Sequence, residues 1–478
     1  MTKYKSMNPF FIPIYQLYLL QLENYELGRY WALLFQKGYF FSPIPLRKSI
    51  VWTPKAMGIF VCAFLLYMGI AGAVFLFLSI VPAFCFLIFG FLLFPVFYSV
   101  TTMCLLPVDW AAKQFFIAKA KSMLVSSPNV IVIGIAGSYG KTTMKNVLSK
   151  ILSVKFNTIT TPESVNTPIG IAQWICKAFT KQTEIVLVEM GEHYKGDIAY
   201  LCSIAPPDIA VLTGINEAHL ERLMSIDISV ATLFEIVQNA KSNALIVLNA
   251  DDKRIRKFYS LFTHGKTVSF YSSFKNSSEK QNVIHKKFDE KKLQWTFELS
   301  SFGMIKVPLL GEYAIGDVIA AITVGKSLKM TNDELKKGIA LLTPIPHRLE
   351  PIKGAGGTIV IDDSYNGNPD GVKEAICVLS RFTLRRKVFI TPGLVETGKD
   401  AKSIHVQIGR DLAPVADRVV LIRNSVTPFI EQGLKEQKFD ETHIIWFNTA
   451  TEAHEALSGI VQANDVVLFQ NDWGDQYV

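Results

Sequence analysis

The dominant feature of the hydropathy pattern is an apolar segment from Ala56 to Val108 that contains no charged residue. At 1.5 Å per residue, one helix over this segment would be about 75 Å long, more than twice the hydrocarbon core of a bilayer. We therefore predict two transmembrane helices, at about 57–79 and 83–106, with a turn near Pro82.

Basic residues flank both ends of this segment. They are Arg47, Lys48 and Lys55 on one side and Lys113, Lys119 and Lys121 on the other. Because positive charge is retained on the cytoplasmic side, the segment is expected to be a hairpin with both ends in the cytoplasm. Residues 1–125 would then anchor a multi-pass protein in the inner (cytoplasmic) membrane, with the lipid bilayer as a partner. A buried helix pair in a soluble protein stays open as the alternative.

From about 126 to 345, short apolar runs alternate with helical patterns, which is typical of a mainly parallel sheet covered by helices. The runs are Val130–Ile135, Ile185–Glu189, Ile209–Leu212 and Leu245–Leu248. Gln294–Leu299 and Met304–Leu309 predict an appended hairpin or meander, and the polar stretch Asn276–Lys292 predicts a loop or an edge.

Pro344 and Pro346 mark a predicted joint, and a second α/β pattern begins at about 350. Its five apolar runs are TIVIDD, KVFITPG, RVVLIRN, HIIWFN and DVVLFQND. They predict a small Rossmann-like sheet over residues 346–478. The predicted fold class is therefore α/β, with a transmembrane hairpin, a central phosphate-loop domain at 126–345 and a C-terminal α/β domain.

The composition disfavours only two classes of function, nucleic-acid binding and zinc binding. The chain has 478 residues, of which 50% are hydrophobic, and this length suits about three domains. A net charge of +8 is modest for this size, and no basic-aromatic array is present, so we expect no nucleic-acid partner. The six cysteines are scattered without zinc-ligand spacing, which favours packing roles in a reducing compartment.

Residues 131–143, IVIGIAGSYGKTT, combine an apolar strand, a glycine turn and the start of a helix. Gly137 and Gly140 let the backbone approach an anion, and the free N–H groups at the helix start favour phosphate. Lys141 is placed to reach the β/γ-phosphates, and the Thr142 hydroxyl is a candidate Mg²⁺ ligand. Ile135 departs from the strict phosphate-loop motif, and a plain glycine turn with a surface lysine is the alternative.

Seven short motifs in order resemble those of the Mur ligase family, the ATP-dependent amide-forming enzymes of peptidoglycan synthesis, and of their folylpolyglutamate synthetase relatives. They are Gly137–Thr143, Thr161–Asn166, Val188–Gly191, His219–Glu221, Leu248–Asp252, Pro346–Arg348 and Asp362–Pro369. The resemblance runs from about 130 to 470, and is greatest to the member that adds D-alanyl-D-alanine to a UDP-muramoyl tripeptide.

The resemblance implies an ATP-dependent acid–amino-acid ligase that uses ATP and Mg²⁺. ATP would phosphorylate the carboxylate of a peptide or muropeptide, and an amine such as D-Ala-D-Ala would attack the acyl phosphate. Lys141, Glu189, His219 and Arg348 are the implied catalytic residues. Thr142, Glu189 and His219 are the implied metal ligands. Glu189 also ends an apolar strand, where a carboxylate points into the crevice at the sheet edge. The alternative role for Glu189 is a helix cap or an ion pair. The alternative role for His219 is a structural one.

The remaining implied contacts come from both halves of the chain. The implied nucleotide-binding residues are Gly137, Ser138, Gly140, Lys141, Thr142, Thr143, Asn166, Asp363, Tyr365 and Asn368. Arg348 resembles an arginine that the C-terminal domain delivers to the γ-phosphate. Pro392–Glu396 and His405 resemble the stretch near the incoming amine.

Three departures from the family pattern matter. Leu233 stands where many relatives carry a carbamylated lysine that helps to bind a second Mg²⁺, which leaves Glu235 or water for that ion. Ala314 and Asp317 replace two asparagines of a segment linked to adenine recognition. Because the predicted membrane hairpin stands where the family has its N-terminal UDP-binding domain, we expect no such domain, which leaves open a lipid-linked acyl substrate.

Two other functions stay open on the sequence alone. One is a membrane-anchored transport or motor ATPase, which would turn over ATP without regard to an amine. The other is a catalytically altered scaffold that binds nucleotide, which the changes at Leu233 and Ala314 motivate.

Overall fold

The computed structural model describes residues 12–36, 50–163, 165–192, 194–216, 225–274, 283–365, 367–394 and 397–471. The chain forms two compact units, Met1–Phe115 and Phe116–Val478. Several predictions fall outside the described residues. These concern Arg47, Lys48, His219, Val395, Glu396 and the first part of the stretch Asn276–Lys292.

The first unit is helical. Its helices are α1 (Ile12–Leu22), α2 (Leu27–Gln36), α3 (Pro54–Phe77), α4 (Ile80–Phe89) and the beginning of α5 (Phe94–Val125). Helix α3 begins with a side-chain cap, since the Thr53 hydroxyl accepts a hydrogen bond from the Ala56 N–H at 3.1 Å. Tyr30 and Tyr98 are fully buried in the core of this unit.

The predicted transmembrane hairpin is not confirmed. Helix α3 is the one straight helix in the described part of the chain that is long and apolar enough to cross a membrane. In place of the predicted span 83–106, α4 ends before a 3₁₀ turn at Gly90–Leu93, and α5 continues at 85° to α4. Hydropathy does not register this bend because both arms are apolar. The predicted localisation as a multi-pass inner-membrane protein is therefore wrong.

Six parallel strands form the central sheet, in the order β2-β3-β1-β4-β5-β6. The strands are β1 (Ile131–Ala136), β2 (Thr158–Thr160), β3 (Ile185–Glu189), β4 (Ile209–Leu212), β5 (Leu245–Asn249) and β6 (Thr267–Tyr271). Their continuous β-branched runs suit strands that are covered on both faces. The prediction of a mainly parallel central sheet is confirmed.

Alternate residues of β1 point to opposite faces of this sheet, as strand geometry requires. Ile133 and Ile135 pack into one core, and Val132 and Ala136 pack into the other. Helices α6 (Lys141–Leu152), α11 (Tyr313–Ser327) and α12 (Asn332–Ala340) cover the first face. Helices α7 (Pro168–Ala178), α8 (Asp197–Ile204), α9 (Ile226–Gln238) and α10 (Lys253–Phe262) cover the second. Parallel strands thus bring the ends of β1, β3 and β4 to one edge.

An antiparallel meander follows the central sheet, as the sequence predicted. It consists of β7 (Val283–Asp289), β8 (Gln294–Leu299) and β9 (Gly303–Val307). Strand β7 lies at an edge of the meander and contains a register shift between Ile284 and Lys287. Of the polar stretch predicted as a loop or an edge, residues 283–289 therefore form an edge strand, and residues 290–292 form a turn.

The C-terminal sheet also has six strands, in the order β10-β11-β15-β12-β13-β14, and only β10 is antiparallel. The strands are β10 (Glu350–Lys353), β11 (Ile359–Asp363), β12 (Lys387–Thr391), β13 (Arg418–Ile422), β14 (Ile444–Phe447) and β15 (Val466–Gln470). Its helices are α13 (Pro369–Ser380), α14 (Ala401–Leu412), α15 (Thr427–Glu436) and α16 (Ala450–Ile460). The five predicted strands are confirmed, whereas the domain limits at 126, 345 and 346 stay predictions.

Candidate functional site

The loop between β1 and α6 has the backbone of an anion-binding turn. Gly137 and Gly140 have φ values of 151° and 77°, which favour glycine. A side chain at Gly137 would also overlap the Thr213 hydroxyl. The Ser138 N–H donates to the Gly214 carbonyl at 2.8 Å, which fixes the loop against the end of β4. Gly140, at the N-cap of α6, has no side chain that could cap the helix, so the first N–H groups of α6 suit an anion.

Lys141, the first residue of α6, turns back over this loop. Its ammonium group donates to the Gly137 carbonyl and lies 3.3 Å from Oε2 of Glu192. Burial raises the pKa of the Glu192 carboxyl group, and the Lys141 charge opposes that rise. Glu192 was not predicted as a site residue. The one feature of the sequence that could have indicated Glu192 is its position directly after the motif Val188–Gly191.

Thr142 and Glu189 lie in direct contact, as the metal prediction requires. The Thr142 hydroxyl lies 3.2 and 3.3 Å from the two carboxylate oxygens of Glu189. Lys145 lies 2.9 Å from Oε2 of the same carboxylate, and both side chains are buried. The alternative role of Glu189, an ion pair, is therefore also present. Lys145 was not predicted, although it stands one helical turn after Lys141 on the same face.

Asn166 lies beside the segment that follows β3. The Gly191 N–H donates to the Asn166 carbonyl at 3.2 Å, and a Cβ on Gly191 would lie 2.8 Å from the Asn166 amide. Thr143, in the first turn of α6, is buried. The structure thus brings Asn166 to the same sheet edge as Glu189, and a larger residue at Gly191 would displace it.

Asn216, beyond the end of β4, connects this edge to the C-terminal sheet. Its amide group donates to Oδ1 of Asn368 at 3.1 Å and to Oδ2 of Asp370 at 2.8 Å. Asn368 itself caps α13, accepting a hydrogen bond from the Gly371 N–H at 3.0 Å. Asn368 was predicted to bind nucleotide, and in this structure its side chain joins two parts of the chain.

Arg348, Tyr365 and Asp363 form a second group next to the first strands of the C-terminal sheet. The Arg348 guanidinium lies 4.6 Å from the centre of the Tyr365 ring. The Leu349 N–H donates to Asp363 at 3.2 Å. Burial raises the pKa of Asp363 to about 7, although this hydrogen bond and the Arg348 charge lower it. Among the hydrogen bonds and ion pairs of the described residues, none joins Arg348 to the phosphate loop.

The positions that depart from the family pattern are all buried. Leu233 belongs to the core beneath the central sheet. Both oxygens of Glu235 accept backbone N–H groups, from Gly196 at 2.9 Å and Ala199 at 3.0 Å. Glu235 therefore caps α8, which does not support the expectation that it holds a second ion. Burial raises the pKa of Asp317 well above its usual range.

His405, predicted to lie near the amine, has a structural role in this fold. It is fully buried, and its Nε2 accepts a hydrogen bond from the Leu394 N–H at 2.9 Å. Its Nδ1 lies 2.6 Å from the Ala401 carbonyl, and burial lowers its pKa. His405 thus positions the described part of the segment after β12.

Known proteins share this arrangement of two sheets and a phosphate loop. The Mur ligase middle domain matches residues 135–325, and the Mur ligase, glutamate ligase domain matches residues 347–470. The chain belongs to the Mur ligase family. It is thus an ATP-dependent ligase, as the motifs predicted, with an α/β fold like that of other Mur ligases.

Individual relatives extend this result. The chain is 26% identical to the UDP-N-acetylmuramoyl-tripeptide–D-alanyl-D-alanine ligase of Bacillus subtilis, over 72% of this chain and 73% of the relative. It is 28% identical to the Escherichia coli enzyme of the same name, over 66% of this chain and 69% of the relative. The structure resembles the MurF ligase of Thermotoga maritima in complex with ADP, with a TM-score of 0.66 and 26% identity. This match covers 75% of this chain and 80% of that one.

Proposed function

We propose that this Mur ligase joins the terminal carboxyl group of a UDP-linked muramoyl tripeptide to the amine of D-Ala-D-Ala, with ATP converted to ADP and phosphate. The names of the Bacillus subtilis and Escherichia coli relatives support these two substrates. The observation that carries the proposal is the uncapped start of α6, with Lys141 and the Thr142–Glu189 pair beside it. Such an arrangement suits a triphosphate.

The phosphates would lie on the loop between Gly137 and Thr143. The first N–H groups of α6 and the positive end of its dipole favour the negative charge. Lys141 would exchange its contacts with the Gly137 carbonyl and Glu192 for contacts with phosphate oxygens. Its stem already starts at the helix N-terminus, so only its end has to move.

The neighbouring oxygens fit a magnesium ion. Mg²⁺ prefers hydroxyl, carboxylate and water oxygens, and Thr142 and Glu189 supply the first two within 3.3 Å of each other. His219 is the third ligand implied by resemblance, and it lies outside the described residues. When bound, the ion would stabilise the charge on the phosphate oxygens.

Two covalent steps follow from this arrangement. A carboxylate oxygen of the tripeptide attacks the terminal phosphorus of ATP, and the bond to ADP breaks. The amine nitrogen then attacks the acyl carbon, the bond to the phosphate oxygen breaks, and the amine proton passes to solvent. Arg348 would neutralise the charge on the transferring phosphoryl group, since a guanidinium can form two parallel bonds to phosphate.

The second group of residues would bring the C-terminal sheet to the nucleotide. Tyr365 holds the Arg348 guanidinium from one face, and Asn368 is connected to the edge of the central sheet through Asn216. Asp363 accepts a hydrogen bond from the N–H of Leu349, the residue after Arg348, and the charge of Arg348 acts on its carboxyl group. Positioning of the reacting groups, rather than side-chain covalent chemistry, would supply most of the rate.

The test is a substrate-omission assay on the purified full chain. ADP release and product mass are followed with ATP, Mg²⁺, UDP-linked muramoyl tripeptide and D-Ala-D-Ala, and each is left out in turn. We expect a pentapeptide product only with all four, and none from the Lys141→Ala variant. ADP release that is indifferent to the amine would instead identify an ATPase. Absence of turnover with retained ADP binding would identify a nucleotide-binding scaffold.

A further inference from the structure

Glu192 is buried, and only one of its two carboxylate oxygens has a polar partner in the described part of the chain. Its side chain is 1% exposed, and its Oε2 atom lies 3.3 Å from the Lys141 ammonium group. Its other oxygen, Oε1, is buried and has no hydrogen-bond partner among the described residues. A buried polar atom without a partner costs free energy unless a bound group completes it. Oε1 of Glu192 could therefore coordinate a cation beside the phosphate loop.

The charges around Glu192 differ from those around Glu189. Glu189 keeps a dedicated cation, Lys145, at 2.9 Å, and a hydroxyl donor, Thr142. Glu192 has an ion pair with Lys141 alone in the described part of the chain. When Lys141 turns to the phosphates, Glu192 would be left next to a polyanion. Repulsion between like charges and the cost of a buried unpaired charge then favour a new cation at Glu192.

Glu235, the acid that the sequence offered for a second ion, is not available for a cation. Glu235 uses both oxygens to cap α8, at 2.9 and 3.0 Å from two backbone nitrogens. Leu233 is apolar and belongs to the core. Glu189 is the last residue of β3 and Glu192 lies three residues beyond it, close enough that, besides burial, the charge of Glu189 raises the pKa of Glu192. Two carboxylates and a hydroxyl oxygen are the hard ligands that a divalent cation such as Mg²⁺ prefers.

We propose that Glu192 is a direct ligand of the divalent cation that accompanies the nucleotide, freed for this role when Lys141 moves to the phosphates. This inference rests on the proposed binding of ATP at the loop before α6. In the metal-free protein the Glu192 carboxylate is paired with Lys141. In the nucleotide complex the cation takes the place of Lys141 at this carboxylate. The same exchange couples metal binding to nucleotide binding.

The experiment measures metal and nucleotide binding rather than turnover. Mn²⁺ binding to the full chain with saturating ADP is followed by electron paramagnetic resonance, and ADP binding in EDTA is followed by calorimetry. For Glu192→Gln we expect Mn²⁺ to bind about tenfold or more weakly, as is typical when a metal site loses an oxygen ligand or its support. ADP in EDTA should bind equally well or more tightly, because a negative charge near the phosphates is removed.

Two further variants sharpen the result. Glu192→Asp keeps the charge but withdraws the carboxylate by one methylene, so Mn²⁺ should again bind more weakly, and this variant decides the test if Glu192→Gln does not fold. Glu235→Gln alters another buried acid and should leave Mn²⁺ affinity unchanged.

Unchanged Mn²⁺ affinity in both Glu192 variants would overturn the inference. So would an equal loss of ADP affinity in EDTA, since Glu192 would then only position Lys141. Failure of the wild-type chain to bind ADP at all would count against the proposed function itself, and is thereby distinguished from failure of this inference.

Discussion

Nζ of Lys145 lies 2.9 Å from Oε2 of Glu189, and the two side chains are 3% and 7% exposed. The pair joins the first turns of α6 to the end of β3. It therefore fixes the position of α6, the helix that follows the phosphate loop, relative to the central sheet. The attraction between the two charges is strong because water is nearly excluded. Each charge is tolerated in the interior only because the other compensates it. The same carboxylate contacts Thr142, so Lys145 also orients a candidate metal ligand.

Replacing Lys145 by methionine should destabilise the protein substantially. Removal of one partner from a buried pair leaves an uncompensated charge and typically costs about 3–5 kcal/mol. The free energy of unfolding from urea titration measures this loss. Lys150→Met is the matched control, because Lys150 is exposed on the same helix and its loss should cost little. Similar stability of the two variants would contradict the structural role given to Lys145.

A Gly137→Ala variant should lose nucleotide affinity. Its φ of 151° disfavours other residues, and the added Cβ would overlap the Thr213 hydroxyl. The loop must therefore shift, and ADP should bind at least about tenfold more weakly, which corresponds to about 1.4 kcal/mol. Gly265→Ala is the control, since the φ of Gly265 is 71° but no atom of the described residues lies within 4 Å of an added Cβ. That variant should tolerate some backbone strain without losing ADP binding.

Replacing Arg348 by alanine should slow ligation while ADP binding changes little. A group that stabilises charge only as the phosphoryl group transfers contributes to kcat, and its loss typically costs about 10²–10³-fold. Steady-state kinetics together with ADP titration separate the two effects. Arg348→Lys should recover only part of the rate, because an ammonium group lacks the planar fork and stacks less well on Tyr365. A rate close to that of the wild type in Arg348→Ala would exclude Arg348 from the mechanism, and the same rate in Arg348→Lys would show that its charge alone is sufficient.

Asp363 should make stability depend on pH. Its pKa in the folded protein is about 7, against 3.8 as the ordinary value, so the folded chain retains a proton that the unfolded chain releases. Its contribution to stability is therefore lost as pH rises from about 4 to about 7. Unfolding free energies between about pH 5 and about pH 8 should decline less steeply for Asp363→Asn. Asp333→Asn, at an exposed helix start, should keep the wild-type slope, and equal slopes in all three proteins would contradict the assignment.

The strands that the sequence predicted best are the buried ones. Ile185–Glu189, Ile209–Leu212 and Gln294–Leu299 match the structure residue for residue, because their apolar patterns end at polar or turn residues. The short strand Thr158–Thr160 and the edge strand Glu350–Lys353 were missed. Neither buries a continuous apolar run, and both depend on a neighbouring strand for their conformation.

The candidate site was predictable where glycine and strand ends mark it, as at Gly137, Lys141 and Glu189. Lys145 and Glu192 were missed because charged residues are ordinarily exposed, and only tertiary packing shows that both are buried. The bend between α4 and α5 was missed for the opposite reason. An apolar segment gives the same hydropathy whether its helices continue straight or turn by 85°.

The most direct test of the central claim follows the oxygen atoms of the reaction. The tripeptide is labelled with ¹⁸O in its terminal carboxyl group and incubated with ATP, Mg²⁺, D-Ala-D-Ala and the full chain, and the released phosphate is analysed by mass spectrometry. Attack of the carboxylate on the terminal phosphate of ATP predicts one ¹⁸O atom in each phosphate released with pentapeptide. Phosphate that carries oxygen from water alone, with the label retained in the peptide, would contradict an acyl-phosphate ligase at this site.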